Sequence, residues 1–89
     1  MDRIDVRDTD DCRRAAEAGL VEAQFNLGLM YSTGQGLPQD YVLAHKWFNL
    51  AAMSGNVEAR EIRAELARDM TAGEIAEAQR LAREWKRGH

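Results

Sequence analysis

Apolar residues along this 89-residue chain recur at helical spacing between short polar or glycine-containing turns, which predicts five helices. The predicted helices cover about residues 9–18, 21–32, 39–54, 57–68 and 72–86. Gly19 and Gly55 suit the position just after a helix end. The glycine-rich segment TGQGLP, residues 33–38, predicts the longest loop. Thr71 and Glu74 have the spacing of a capping box, which predicts the start of the last helix.

The second predicted helix has apolar residues on two sides. One stripe contains Ala23, Leu27, Met30 and Tyr31, and the other contains Val21, Phe25 and Leu29. A helix that is apolar on two sides is packed between neighbours, as in a helical solenoid. Gly28 lies inside this helix at a cost of about 1 kcal/mol relative to alanine. We therefore expect the backbone of a partner helix to approach closely there.

An internal repeat organises the centre of the chain. The segment AAEAGLVEA begins at residue 15, and the similar segment AAMSGNVEA begins at residue 51, so the period is 36 residues. Self-similarity of this length is typical of helical repeat arrays. The similarity then fades, because the second copy has no glycine-rich loop and the last helix has a charged outer face. Both features are typical of the cap of a repeat array.

The composition narrows the possible partners and the compartment. The net charge of −3 argues against a general nucleic-acid binder and gives no reason to expect attraction to anionic membranes. No apolar run approaches a membrane span. The N-terminus has no apolar core of the kind that a signal peptide needs, so the expected location is cytoplasmic. We expect neither nucleic acid nor membrane as a partner.

Residues that could carry out catalysis are few and unpaired. Cys12, His45 and His89 are the candidate nucleophile and bases, and none has a partner at local spacing. Arg13 and Arg14 could lower the pKa of Cys12. However, the repeat places Cys12 at the position of Phe48, which favours a small core residue. We expect no catalytic, cofactor-binding or metal-binding residues.

The segment AQFNLGLMYSTGQGLPQDYVLAHKWFNLAAMSG, residues 23–55, resembles the Sel-one-like repeat (SLR), a relative of the tetratricopeptide repeat. The ending EIAEAQRLAREW, residues 74–85, resembles the capping helix that often follows such repeats. The residues that match the family pattern are Gly19, Ala23, Leu27, Gly28, Tyr31, Gly34, Gly36, Asp40, Ala44, Trp47, Ala51, Ala52 and Gly55.

The resemblance implies an all-α fold, an αα-superhelix of about five antiparallel helices. It implies a single domain, residues 9–86, with one full repeat at about residues 19–54, partial flanking units, and capping helices at residues 57–86. The charged residues 1–8 are expected to form a flexible N-terminus. The first helix of each repeat would line a concave surface that binds partner proteins, and such proteins usually act as adaptors without catalytic activity. Some secreted relatives have a disulfide in each repeat, so the single Cys12 implies an intracellular protein.

Two functional hypotheses follow. The first is an adaptor or scaffold that docks a partner peptide or helix on helix 21–32. Gln24 and Asn26 would pair with the partner's backbone, and Phe25 and Leu29 would supply apolar contact. The alternative for those two apolar residues is that they pack on the first helix. The second hypothesis is a structural protein that forms a homo-oligomer. The aromatic residues it would bury between subunits are Tyr31, Trp47 or Trp85.

Overall fold

The computed structural model describes residues 9–89, and these form five α-helices with no strand. The helices are α1 (Thr9–Glu17), α2 (Val21–Thr33), α3 (Tyr41–Met53), α4 (Val57–Ala67) and α5 (Ala72–Gly88). The predicted all-α fold of five helices is therefore confirmed. The predicted flexible segment, residues 1–8, lies outside the described residues.

Polar side chains fix the starts of the last three helices. Asp40 and Asn56 each accept a hydrogen bond from the backbone amide three residues further on, at 3.0 and 2.8 Å. At the start of α5, the Thr71 hydroxyl accepts from the Glu74 amide at 3.1 Å, and the Glu74 carboxylate accepts from the Thr71 amide at 2.8 Å. These bonds satisfy amides that have no partner inside the helix.

The 36-residue repeat is visible in the backbone as two identical turns. Gly19 and Gly55 both have φ of 99°, a left-handed conformation that favours glycine. In each turn the glycine amide donates to the carbonyl three residues earlier at 3.0 Å. The next amide donates to the carbonyl five residues earlier, also at 3.0 Å. Both turns therefore have the hydrogen bonds of a Schellman motif, which lets α1 and α3 end in the same way.

Helix α3 is the centre of the packing, because it contacts α2, α4 and α5, while α1 packs on α2. Two clusters of buried residues lie along it. The first core contains Cys12, Ala15, Ala16, Ala23, Leu27, Met30, Trp47, Leu50 and Ala82. The second core contains Ala44, Phe48, Ala51, Ala59 and Leu66. The first core joins α1, α2, α3 and α5, and the second joins α3 to α4 and to one side of α2.

The residues that match the repeat pattern have three kinds of position in this fold. The left-handed glycines are Gly19, Gly34, Gly36 and Gly55. The residues buried in the helix contacts are Ala23, Leu27, Gly28, Ala44, Trp47 and Ala51, with Tyr31 and Ala52 half-buried beside them. Asp40 caps α3. The pattern therefore specifies turns, packing and a helix start.

Gly28 of α2 packs directly against a side chain of α3. A Cβ atom placed there would lie 2.7 Å from two carbons of the Phe48 ring, well inside van der Waals contact. The partner that approaches Gly28 is thus an aromatic ring, rather than the backbone that the sequence led us to expect. The Phe48 side chain is fully buried and cannot move aside without disturbing the second core.

Gly28→Ala should therefore destabilise the protein, although alanine is the better helix former. We expect the free energy of unfolding in urea to fall by about 1–3 kcal/mol because of overpacking against Phe48. Gly73→Ala is the matched control, since a Cβ there would meet only the Thr71 hydroxyl at 3.9 Å. It should stabilise the protein by up to about 1 kcal/mol. Stabilisation by both substitutions would contradict the close contact.

Candidate functional site

A surface groove lies where α2, α3 and α4 meet. Its volume is about 220 Å³, and its lining residues are Ser32, Tyr41, Ile62, Glu65, Leu66 and Asp69. We call it the α2–α4 groove. Tyr41 and Ile62 are half-buried and pack against the second core, so the floor is apolar. The walls carry hydroxyl and carboxylate groups.

Phe25 and Leu29 lie on α2, two turns and one turn before its groove-lining residue. Both are half-buried and pack against the second core, and the Phe25 and Phe48 ring centroids are 5.8 Å apart. Leu29 is followed one turn later by Ser32, which lines the groove. The alternative that these two residues pack on α1 does not describe the structure, because their partners belong to α3 and α4.

The two polar residues expected next to them have different surroundings. Asn26 is half-buried, and its side-chain amide donates to the Glu22 carbonyl at 3.0 Å. Gln24 is only 2 % exposed and donates to the Ala16 carbonyl at 3.2 Å, so it ties α2 to α1. Phe25, Asn26 and Leu29 are thus half-buried on α2, whereas Gln24 is buried and used inside the fold, in contact with α1.

Sequence reasoning did not find the part of the groove that α4 contributes. The repeat contained the information needed to find it, because Glu61 and Glu65 stand 36 residues after Phe25 and Leu29. The apolar stripe that packs α2 onto α3 and α4 is thus replaced by exposed carboxylates on α4. A further repeat would find no apolar stripe there to pack against. The α4 side is therefore open to solvent and acidic.

The charged residues near the groove are not neutralised by the fold. Glu58, Glu65 and Asp69 are exposed and have no ion pair or side-chain hydrogen bond within residues 9–89. On α5, by contrast, Arg80 pairs with both Glu77 and Glu84. The hydrogen bond from Arg80 lowers the pKa of Glu77. Uncompensated negative charge is thus a property of the groove and not of every acidic face.

A larger cleft, of about 320 Å³, lies among the ends of α1, α3 and α5. Here Trp85 donates its indole N–H to Glu17 at 2.8 Å, and the His89 ring stacks on Trp85 with centroids 3.9 Å apart. The edge of Trp85 also contacts Trp47, at 6.0 Å between centroids. These groups engage one another, so the cleft holds α5 against α1 and α3.

The three candidate nucleophile and base residues are separated in the fold. Cys12 is fully buried and donates to the Ala23 carbonyl at 3.4 Å, and burial raises the pKa of its thiol. His45 is also buried, and desolvation together with the positive charge of Arg63 lowers its pKa. His89 lies at the end of α5. No hydrogen bond joins any two of the three within the described part of the chain.

The described residues offer neither a metal-binding cluster nor a membrane-spanning helix. Residues 9–89 contain no group of three or more His, Cys, Asp or Glu side chains placed to hold a metal ion. None of the helices α1 to α5 combines the length and apolar character needed to cross a membrane.

The five-helix packing and the duplicated turn define a helical repeat module of the αα type. The family model for the Sel1 repeat matches residues 21–56, which run from the start of α2 through the turn after α3. The resemblance that the sequence indicated is therefore confirmed over residues 21–56. Sel1 repeats are in general protein-interaction modules.

A curated relative is the chitin synthase regulator SKT5 of Saccharomyces cerevisiae. It is 45 % identical to this chain over 56 residues, which are 63 % of the chain. The matched part is 8 % of the yeast protein, so this chain spans less than a tenth of that relative's length. The similarity concerns the repeat and not the whole regulator.

The burial of Cys12 leads to a chemical prediction. Because the thiolate is the reactive form and both burial and the raised pKa disfavour it, maleimide labelling at neutral pH should be slow in the folded protein. A Cys12→Ala/Ser54→Cys variant, with its thiol at an exposed turn, should react more than about tenfold faster. Equal rates for the two folded proteins, followed by mass spectrometry, would reopen the case for a reactive cysteine.

Proposed function

We propose that this chain is a non-catalytic adaptor or scaffold module that docks a partner peptide or helix in the α2–α4 groove. The observation that carries the proposal is the position of Phe25 and Leu29. They belong to the matched repeat, pack against the second core one and two turns before the groove-lining Ser32, and keep part of their apolar surface exposed. A partner that covered this surface would remove it from water, at about 25 cal/mol per Å².

Helix α2 also offers a polar contact for a partner's backbone. The side-chain oxygen of Asn26 has no hydrogen-bond partner within residues 9–89, and the residue is half-buried and follows Phe25 in the chain. It can accept a bond from a backbone amide of the docked segment. Because α2 has 13 residues, it is about 20 Å long. This length suits a segment of three to four helical turns.

The yeast relative supports a regulatory role of this kind. Its name describes a regulator of chitin synthase, and a regulator can act through contact with another protein. We carry over that manner of action and not the target, because the matched part is a small fraction of the relative. We also propose a cytoplasmic location, since the lone cysteine is a buried free thiol that suits a reducing compartment.

The alternative function is self-association of a structural helical protein. It is favoured by three large apolar side chains that are exposed: Leu20 at 45 %, Met53 at 53 % and Val57 at 58 %. All three lie at helix ends next to the two repeated turns. A second copy that covered them would give a homo-oligomer.

Site-directed photo-crosslinking tests where a partner docks. A photoreactive amino acid replaces Asn26 beside the groove, or Gln79 on the exposed face of α5 as the matched control. In a lysate of the source cell, we expect the Asn26 position to give a discrete crosslinked protein and the Gln79 position to give none. Leu29→Ala should reduce that product, because it removes apolar contact without adding charge.

Two results would contradict the proposed docking function. Equal products from both positions would show that the groove is not selective. Crosslinks from Asn26 to a second copy of this chain alone would favour the homo-oligomer instead. Each variant should first be shown to melt as the unmodified protein does, so that a loss of crosslinked product cannot be caused by a loss of folding.

A further inference from the structure

Two carboxylates line the α2–α4 groove, those of Glu65 on α4 and of Asp69 in the turn after α4. Glu58 lies seven residues before Glu65, so at 100° per residue the two side chains are about 20° apart around α4. Ile62, which lies on the groove floor, is within about 60° of both. We call Glu58, Glu65 and Asp69 the acidic line. The acidic line therefore runs directly beside the apolar contact surface.

The basic residues of α4 do not neutralise this line. Arg63 points to α3, where its guanidinium donates to the Asn49 side chain. Arg60 lies about 160° from Glu58 around the helix, on the far side. Arg68 follows the last residue of α4, is exposed and has no ion pair within the described residues.

Helix α2 carries a further carboxylate on the side of Leu29. Glu22 is exposed and lies seven residues before Leu29, so the two side chains share one line along that helix. Glu22 also has no ion pair within residues 9–89. Unpaired carboxylates thus accompany Leu29 on α2 and Ile62 on α4.

We propose that the segment docked in the α2–α4 groove is basic and amphipathic, with apolar side chains between lysines or arginines. This inference rests on the proposed docking function. Apolar side chains would contact Phe25, Leu29 and Ile62, and the flanking cations would face Glu22 and the acidic line of α4. Complementary charge of this kind selects partners and speeds association more than it raises affinity. An acidic segment would instead be repelled from both walls.

The test uses three synthetic helical peptides of equal length as probes. The first has a leucine stripe flanked by lysines, the second has glutamates in place of the lysines, and the third has the lysines but serines in place of the leucines. Binding is measured by fluorescence anisotropy at low and high salt. We expect only the leucine–lysine peptide to bind, and its affinity should fall as salt screens the charges.

A pair of double variants locates the charge effect. Glu65→Gln/Asp69→Asn removes two unpaired charges in the groove, and Glu77→Gln/Glu84→Gln removes two charges on the outer face of α5. Both change the net charge equally. The groove variant should weaken the leucine–lysine peptide by about fivefold, as expected for the loss of exposed ion pairs, while the α5 variant should leave it within about twofold.

The possible results separate this inference from the function on which it rests. Binding of the glutamate peptide as tight as that of the lysine peptide would overturn the charge inference, and the docking function would stand. Equal weakening by both double variants, or binding of the serine–lysine peptide as tight as that of the leucine–lysine peptide, would show that binding depends on overall charge alone. Either result would overturn the charge inference. Failure of the leucine–lysine peptide to bind at low salt would also overturn it, whatever the Asn26 crosslinking shows.

Discussion

The packing of Phe48 against Gly28 is the contact on which the rest of the fold depends. It sets the distance between α2 and α3, and α3 in turn is the helix that α4 and α5 pack against. A side chain at residue 28 would separate α2 from α3 and open both cores. The same close approach leaves Phe25 at the edge of the helix contact, tilted against Phe48 and only half-buried. The contact between Phe48 and Gly28 therefore accounts both for the spacing of α2 and α3 and for the partial exposure of Phe25.

The two sides of the molecule differ in how their polar groups are used. On the α5 side, Arg80 neutralises the neighbouring glutamates, and the indole of Trp85 donates to Glu17 across the end of the fold. In the α2–α4 groove the carboxylates of Glu65 and Asp69 have no partner within residues 9–89. Internal pairing characterises a surface that completes the fold. Unpaired charge beside apolar residues characterises a surface available to another molecule.

Much of the fold was accessible from the sequence because local chemistry determines it. Gly19 and Gly55 mark the repeated turn, Thr71 and Glu74 mark the start of α5, and the 36-residue period marks the repeat. The site was less accessible, since it depends on which helix faces which. Gln24 was predicted to be at the surface but is buried against α1, and Glu65 was not singled out. The spacing of residues on one helix cannot show which neighbour covers each side.

Hydrogen–deuterium exchange at two protein concentrations about a hundredfold apart tests most directly whether α3 holds the fold together while the groove stays open. The account predicts that amides of α3 exchange most slowly at both concentrations. It also predicts that amides beside the groove, in α2 and α4, exchange at rates that do not depend on concentration. Protection of the α2 and α4 amides that increases with concentration would show that a second copy fills the groove. Exchange of α3 as fast as that of α5 would contradict the central role of α3.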